Sequence, residues 1–493
     1  MGDFHSTSQG MPIDLMELKS YQIYRQERIN HWNQVAQAAN HWKSWGQFNY
    51  HPRLIEIYQF LIPPGQKVLE VGCGMGDLLA GVSPSIGVGI DFSDEMIQKA
   101  RKKHPELQFL HGDVLEMSID GQFDFVILSD VINDLWDVQQ VFARLKQNLL
   151  PHSRIIINCY SRLWEFVLAV AKKLKLATPL LYQNWLTIED IQNLLNLEDM
   201  EVIRTWREVL FPLPIPGIHQ FCNKVLVKIH PFHQLGLANF IVGRLKPSPN
   251  HASINPSVSV IIPARNEAGN IDNIFKRIPE MGSFTELVFV EGHSKDNTYQ
   301  SIKEAIERYP ERKCKLFQQT GKGKGDAVRM GFANASGDIL MILDADLTVP
   351  PEDLPRFFKA LVENKGEFIN GVRLVYPMEK QAMRFLNFLG NKFFSLAFSW
   401  LLGQSIKDTL CGTKVLWKKD YEKIAANRAY FGDFDPFGDF DLLFGAAKLG
   451  LKIIDLPIRY RERTYGTTNI QRWKHGLLLM RMVLFAAGKI KFT

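Results

Sequence analysis

Ile339-Leu340-Met341-Ile342-Leu343-Asp344-Ala345-Asp346-Leu347 is the stretch whose reading decides the second half of the chain. Five apolar residues in succession, Ile339 to Leu343, spell a strand buried on both faces. It runs straight into two carboxylates, and burying a carboxylate without a partner is costly. Two acids at i and i+2 on a strand point to the same side. Asp344 and Asp346 are therefore expected to share one positive partner, and a hard divalent cation carrying phosphate suits them. Pro350 and Pro351 are expected to stop the strand.

Working upstream, Gly321-Lys322-Gly323-Lys324-Gly325-Asp326-Ala327 is a basic glycine loop of the kind that cradles phosphate. Before it come two strands closed by polar turns. One is Val258-Ser259-Val260-Ile261-Ile262-Pro263-Ala264, followed by Arg265-Asn266-Glu267; the other is Glu286-Leu287-Val288-Phe289-Val290-Glu291, followed by Gly292-His293-Ser294. Strands alternating with helical patterns predict an α/β unit with a largely parallel sheet.

The motifs S-V-I-I-P-A-R-N-E, V-E-G-H-S-K-D-N-T, G-K-G-D-A-V-R-M-G-F and L-D-A-D-L run in order over about residues 258–470. Together they resemble family-2 glycosyltransferases of the GT-A fold, in particular the branch acting on polyprenyl (dolichol) phosphate. The resemblance implies that Pro263, Ala264 and Glu267 hold the nucleoside, with Glu291 as the first member of an acidic pair and Lys324 at the donor phosphates. It implies that Asp344, Ala345 and Asp346 hold the donor, the two acids through Mg²⁺ or Mn²⁺. Gly292 replaces the second acid and His293 stands where Gly is usual, which leaves the base, uridine or guanosine, open. Asp408 in D-T-L-C-G-T-K resembles the acceptor-side segment of the branch. Arg459, Arg463, Gly466 and Thr467 resemble its phosphate-binding loop, with Thr467 in place of Ser. Phe437-Gly438-Asp439 sits where relatives carry a Glu-Asp pair. Asp439 deprotonates a hydroxyl acceptor, or only positions a lipid phosphate that is already anionic.

The first half repeats the α/β pattern. Residues 14–60 read as helical, a cap rich in Tyr, Trp and Gln. Lys67-Val68-Leu69-Glu70-Val71-Gly72-Cys73-Gly74-Met75-Gly76-Asp77 is a strand entering a glycine turn, which lets the backbone approach a ligand. Three later strands end in acids: Asp91, Asp113, and Asp130 after Ser129. Polar groups at the carboxyl ends of such strands mark a ligand crevice. This set resembles the class I S-adenosylmethionine-dependent methyltransferases over about residues 40–245, on a Rossmann-like fold. The resemblance implies that Glu70, Gly72, Gly74 and Gly76 surround the methionine and ribose of the cofactor, that Asp91 holds the ribose hydroxyls, and that Asp113 holds the adenine amine. Ser129 and Asp130 line the methyl-transfer side. A base is open among Asp130, Asp134, Asp137 and Tyr160.

Lys246–Ser257 is rich in Pro, Ser and Asn and reads as a linker. The expected organisation is residues 1–245 as the methyltransferase domain with its helical cap, 246–257 as the linker, and 258–493 as the glycosyltransferase domain with a basic amphipathic tail. Phe211-Pro212-Leu213-Pro214-Ile215-Pro216-Gly217 cannot be a central strand and reads, with 218–230, as an insertion on the substrate side. Five scattered cysteines with no C-x-x-C pair indicate neither a disulfide framework nor a structural zinc. A net charge of +6 does not argue for nucleic acid. With no signal peptide evident, a cytoplasmic location is expected. Neither 381–404 nor 472–493 is an uninterrupted apolar span, but both suit peripheral contact with the inner face of a membrane. The alternative is a transferase acting on glycan hydroxyls, its first domain a scaffold that binds the cofactor without turnover.

Overall fold

In the computed structural model the described residues are 15–38, 45–173, 181–247, 255–373, 375, 385–430, 438, 440–463, 465–466 and 472–492. The chain divides into two compact α/β units, Met1–Leu245 and Lys246–Thr493.

The first unit is built on seven strands: β1 (Lys67–Val71), β2 (Ile86–Asp91), β3 (Gln108–His111), β4 (Phe123–Ser129), β5 (Leu149–Tyr160), β6 (Met200–Glu208) and β7 (Ala238–Leu245). Their order is β3-β2-β1-β4-β5-β7-β6, and β7 runs antiparallel to both its neighbours. The order reverses between β1 and β4. The crossovers leave that point in opposite directions, which opens a crevice at the carboxyl ends of the strands. Strand β1 is buried from Val68 onward, as a strand covered on both faces must be. Separate apolar clusters fill the two sides of the sheet, one around Leu69, Val126 and Ile157, the other around Val68, Ile127 and Phe240. The helices Leu15–Ala38 and Trp45–Leu61 precede the sheet.

The second unit also has seven strands: β8 (Val258–Ala264), β9 (Thr285–Glu291), β10 (Lys313–Gln318), β11 (Ile339–Ile342), β12 (Phe368–Val372), β13 (Lys414–Trp417) and β14 (Ile453–Pro457). Their order is β10-β9-β8-β11-β13-β12-β14. The first four are mutually parallel, and β13 is antiparallel to both β11 and β12. The expected strand at Ile339 ends at Ile342, before the carboxylates rather than in them. Leu347 has φ 54° and donates its N–H to Asp344 O, so the D-x-D residues form a turn. The prolines lie downstream of that turn and do not set the strand's end.

Candidate functional sites

In the first unit the crevice is lined by Gly72, Asp91, Asp113, Val131 and Asp134, and covered by residues of the Leu15–Ala38 helix. With its open mouth it holds about 490 Å³. Gly72, Gly74 and Gly76 all have positive φ, and the turn they make brings the Gly74 N–H to Asp91 Oδ2 at 2.9 Å. Asp91 Oδ1 accepts from Ser93 N at 2.8 Å, and burial, partly offset by these N–H groups, pushes its pKa up to about 6. Glu70 is buried, its Oε2 has no hydrogen-bond partner among the described residues, and burial raises its pKa well above the ordinary carboxyl value. Asp113 accepts from Leu115 N at 2.9 Å and from the Tyr21 hydroxyl at 3.0 Å.

Ser129 closes β4 in register with Asn158 on β5. Asp130 follows in the left-handed region at φ 54°, and its Oδ1 accepts from Tyr50 Oη at 3.0 Å and from Asn158 Nδ2 at 2.7 Å. Burial raises its pKa to about 7 against those two donors. Asp134 is buried elsewhere in the crevice, against Arg28 at 3.6 Å and Trp32 Nε1 at 3.2 Å. Tyr160 stands beside Tyr50, ring centroids 5.8 Å apart. Asp137 caps the Val138–Leu145 helix by accepting from Gln140 N, a structural task.

The residues that sequence reasoning missed here are Tyr21, Tyr24, Arg25 and Arg28. All line the crevice, and with Trp32 they fall at helical spacing on one face. That stripe was a readable signal. It is polar and aromatic where core-facing stripes are apolar.

In the second unit the candidate residues gather at the carboxyl ends of β8, β9 and β11. Lys324, at the start of the Lys324–Asn334 helix, sits 2.6 Å from Asp344 Oδ1. Burial works to raise the Asp344 pKa, but Lys324, then Arg373 and Lys414, outweigh it and hold the carboxyl below its ordinary value. Asp346 Oδ2 meets Arg463 Nη2 at 2.6 Å, and its Oδ1 accepts from Thr348 N and Oγ1. Each of the two acids holds a cationic side chain of its own. Arg463 reaches on to Glu267 Oε1 at 3.0 Å. Glu267 Oε2 accepts from Asn270 Nδ2, and burial raises its pKa to about 7 against Arg463 and Asn270.

Pro263 and Ala264 pair in register with Val290 and Glu291. Glu291 is buried and accepts from Ser294 N, closing the turn after β9. His293 in that turn has φ 55°, the conformation that makes glycine usual there. Its neighbour Gly292 lies where a Cβ would come 3.1 Å from Gln319 Oε1, so a side chain there asks for a small shift of Gln319. Ala345 is buried in the core beneath the turn.

Asp408 is wholly buried and fully engaged. Its Oδ2 accepts from Arg373 N and Nε, and its Oδ1 from Arg373 Nη2 and Leu410 N. That leaves no oxygen turned to an acceptor, so Asp408 positions Arg373. Arg459 is exposed. Asp439 and Thr467 lie outside the described residues. Gly438 is described. It has φ 78°, and a Cβ there would come 2.6 Å from Gly325 Cα, which bars the Glu of the usual pair. Gly412 was also missed: a Cβ on it would overlap Asp344 Oδ2 and Lys324 Nζ.

Residues 68–152 match the family model "Methyltransferase domain", and residues 259–425 match "Glycosyl transferase family 2". Over 221 residues the chain is 31% identical to a dolichol-phosphate mannosyltransferase of Pyrococcus furiosus, covering 43% of this chain and 59% of that one. Over 236 residues it is 25% identical to an undecaprenyl-phosphate 4-deoxy-4-formamido-L-arabinose transferase of Edwardsiella ictaluri, covering 46% and 66%. The chain thus spans about three fifths to two thirds of these relatives. Among solved structures, an S-adenosylmethionine dependent methyltransferase of Mesorhizobium loti aligns with TM-score 0.29 and 14% identity, over 39% of this chain and 96% of that one. The chain carries a methyltransferase domain and, after it, a glycosyl transferase family 2 domain.

Proposed function

We propose that the chain is a bifunctional transferase. Its first unit moves a methyl group from S-adenosylmethionine. Its second moves a sugar from a nucleoside diphosphate sugar to a polyprenyl phosphate. The observation that carries the second activity is the convergence of Asp344 and Asp346 with Lys324 and Arg463, which offers oxygen ligands and cationic donors at one strand end. The relatives quoted above act on dolichol and undecaprenyl phosphates, which supports the acceptor class.

A divalent cation fits the turn. The donors are carboxylate oxygens, both side chains keep some exposure, and among the described residues no three acidic, His or Cys groups form a ready cage. Mg²⁺ or Mn²⁺ held by Asp344 and Asp346 and completed by donor phosphates matches that set. When bound, the cation offsets charge developing on the leaving diphosphate. Lys324 and Arg463 supply hydrogen bonds to the same phosphates. A lipid phosphate is already a nucleophile and needs no base. In the first unit Gly72 and Gly74 would admit S-adenosylmethionine and Asp91 would hold its ribose; the cofactor would supply the methyl group, and Asp130 would take the acceptor's proton.

Contact with a membrane surface belongs to this reading. No helix among the described residues is long and apolar enough to cross a membrane. The helices Phe385–Leu402 and Arg472–Ala486 pack together and leave Phe393, Leu396, Leu477 and Leu484 exposed, with Lys392 and Arg481 exposed on the same pair. An apolar face with a basic rim suits an anionic interface.

The test incubates the protein with nucleotide sugars, Mg²⁺ and vesicles containing polyprenyl phosphate, and reads products by mass spectrometry. Glycosylated lipid phosphate is expected, and it should disappear in chelator and in Asp346→Asn. Sugar on a glycan hydroxyl with none on the lipid overturns the acceptor assignment. Transfer undiminished by chelator overturns the metal.

A further inference from the structure

The first unit has an apolar face of its own, next to Tyr160 at the carboxyl end of β5. Strand β5 ends at Tyr160, and the chain turns at once through Arg162–Trp164 into the helix Glu165–Lys173. Trp164 and Leu168 pack inward on the core behind the sheet. The opposite side of the same segment is bare: Leu163 is 62% exposed, Phe166 79% and Val167 47%. The insertion between β6 and β7 is fastened alongside. Trp164 Nε1 donates to Leu235 O at 2.8 Å, and Ser161 N donates to Leu237 O. Within the insertion, Asn223 grips both the N–H and the carbonyl of Phe211, and this holds the Ile218–Lys224 helix with Ile218 and Phe221 outward, 51% and 54% exposed. Bare aromatic and branched side chains thus recur on the helix that follows β5 and on the insertion tied to its start, which is more than the scattered exposure normal for a surface.

Charge selects what covers this face. The insertion from Val209 to Leu237 contains no Asp or Glu; its Lys228 is buried against Glu208, which leaves Lys224 as its outward base. The neighbouring helix ends in exposed Lys172 and Lys173. On this segment the exposed bases Arg162, Lys172 and Lys173 outnumber the exposed acid Glu165, and an apolar surface with such a basic excess complements anionic headgroups over acyl chains. A second copy of the face would set base against base.

We propose that the methyltransferase unit docks on an anionic bilayer through the Leu163–Val170 and Ile215–Phe221 face, with its acceptor mouth at the lipid surface. The docking stands on the surface alone. That the methyl acceptor is lipid-linked rests on the methyl-transfer reading above.

The test uses the full chain with Cys222→Ser and Cys314→Ser, so that an environment-sensitive fluorophore can be placed at Val167→Cys. A control label goes at Asp120→Cys, exposed ahead of β4 at the amino end of the strand, away from its carboxyl end at Ser129. With phosphatidylcholine vesicles containing phosphatidylserine, emission from position 167 is expected to shift to the blue and to be quenched by spin-labelled acyl chains. Position 120 should stay unchanged. High salt, or Phe166→Glu with Phe221→Glu, should remove the shift; both residues are exposed, and circular dichroism and calorimetric binding of S-adenosylmethionine verify that the fold survives. Vesicle binding of the protein with no change at position 167 places the lipid contact elsewhere and overturns the proposal. So does a shift that needs no vesicles and grows with protein concentration, which means a second copy. Unchanged binding of the lipid with no methyl transfer would fault the methyl-transfer reading and leave the docking intact.

Discussion

Asp130 is the residue whose environment is most specific to a task. Its backbone is in the left-handed region and its carboxyl is largely withdrawn from water, and among the described residues Tyr50 and Asn158 donate to it, both on one oxygen. Burial therefore wins, and the group holds its proton up to about pH 7. A base works only once that proton is gone, so methyl transfer is expected to rise with pH through about 7 and then level off. Asp130→Asn should lose that limb along with most activity, about 10²–10⁴-fold on the scale of general-base catalysis. A pH–rate profile of the variant that keeps the limb would assign the base elsewhere. Stability carries the opposite sign. The folded pKa lies above the unfolded value, so the folded state keeps the proton longer, and stability falls between about pH 4 and 7 as the buried carboxyl ionises. Gly412 offers a second test at this scale. Any side chain there displaces the Asp344–Lys324 pair. Gly412→Ala is expected to lower kcat/KM for sugar transfer about 100-fold, the effect of moving a catalytic group by roughly 1 Å. Steady-state kinetics with circular dichroism as a folding control measures it.

At the scale of elements, the Leu15–Ala38 helix shows what pattern reading catches and what it loses. A helical cap is legible from composition, but its contacts are not, because the helix binds by polar groups spread over distant sequence. Tyr21 reaches Asp113, Trp32 reaches Asp134, and Asn33 accepts from Ser93 Oγ. Arg28 is the strongest of these ties. It is buried, faces Asp134, donates to Tyr182 O and lies over the Tyr24 ring. Removing it takes away that cation and the bond to Tyr182, and because burial already raises the Asp134 pKa the carboxyl can take up a proton, so the cost is about 1–3 kcal/mol. Arg28→Ala is expected to lower unfolding stability by that order and to speed hydrogen exchange across residues 15–38. Exchange rates unchanged there would show that the helix is held by its remaining contacts. The D-x-D segment teaches a similar lesson. The apolar run announces the strand and its burial, but Asp344 and Asp346 sit in a turn whose cations come from residues 324 and 463, one before and one long after. The Arg373–Asp408 pair was equally invisible, since nothing in its spacing links the partners.

For the whole molecule, the alternation of strands and helices makes two α/β units legible, because a parallel strand buried on both faces has few polar positions to confuse its reading. Strand order is less legible: β7 slips between β5 and β6 although it follows both, and nothing in its own sequence marks that place. Each unit closes apolar clusters of its own, with the clusters around Leu69 and Val68 drawing only on residues before 246, and the one around Val260 only on residues after 257. A core that shares no residue with another can melt on its own schedule. Differential scanning calorimetry of the full chain is therefore expected to resolve two transitions. S-adenosylmethionine at about 100 times its Kd stabilises the unit that binds it by about 2.7 kcal/mol, because it binds only the folded form. For a unit of this size that corresponds to a rise of about 5–10 °C in one Tm. The other transition should stay where it was, and a nucleoside diphosphate with Mg²⁺ should move that one instead. A single transition that S-adenosylmethionine carries upward as a whole would mean that the two cores unfold together, and that the bifunctional chain is one cooperative body.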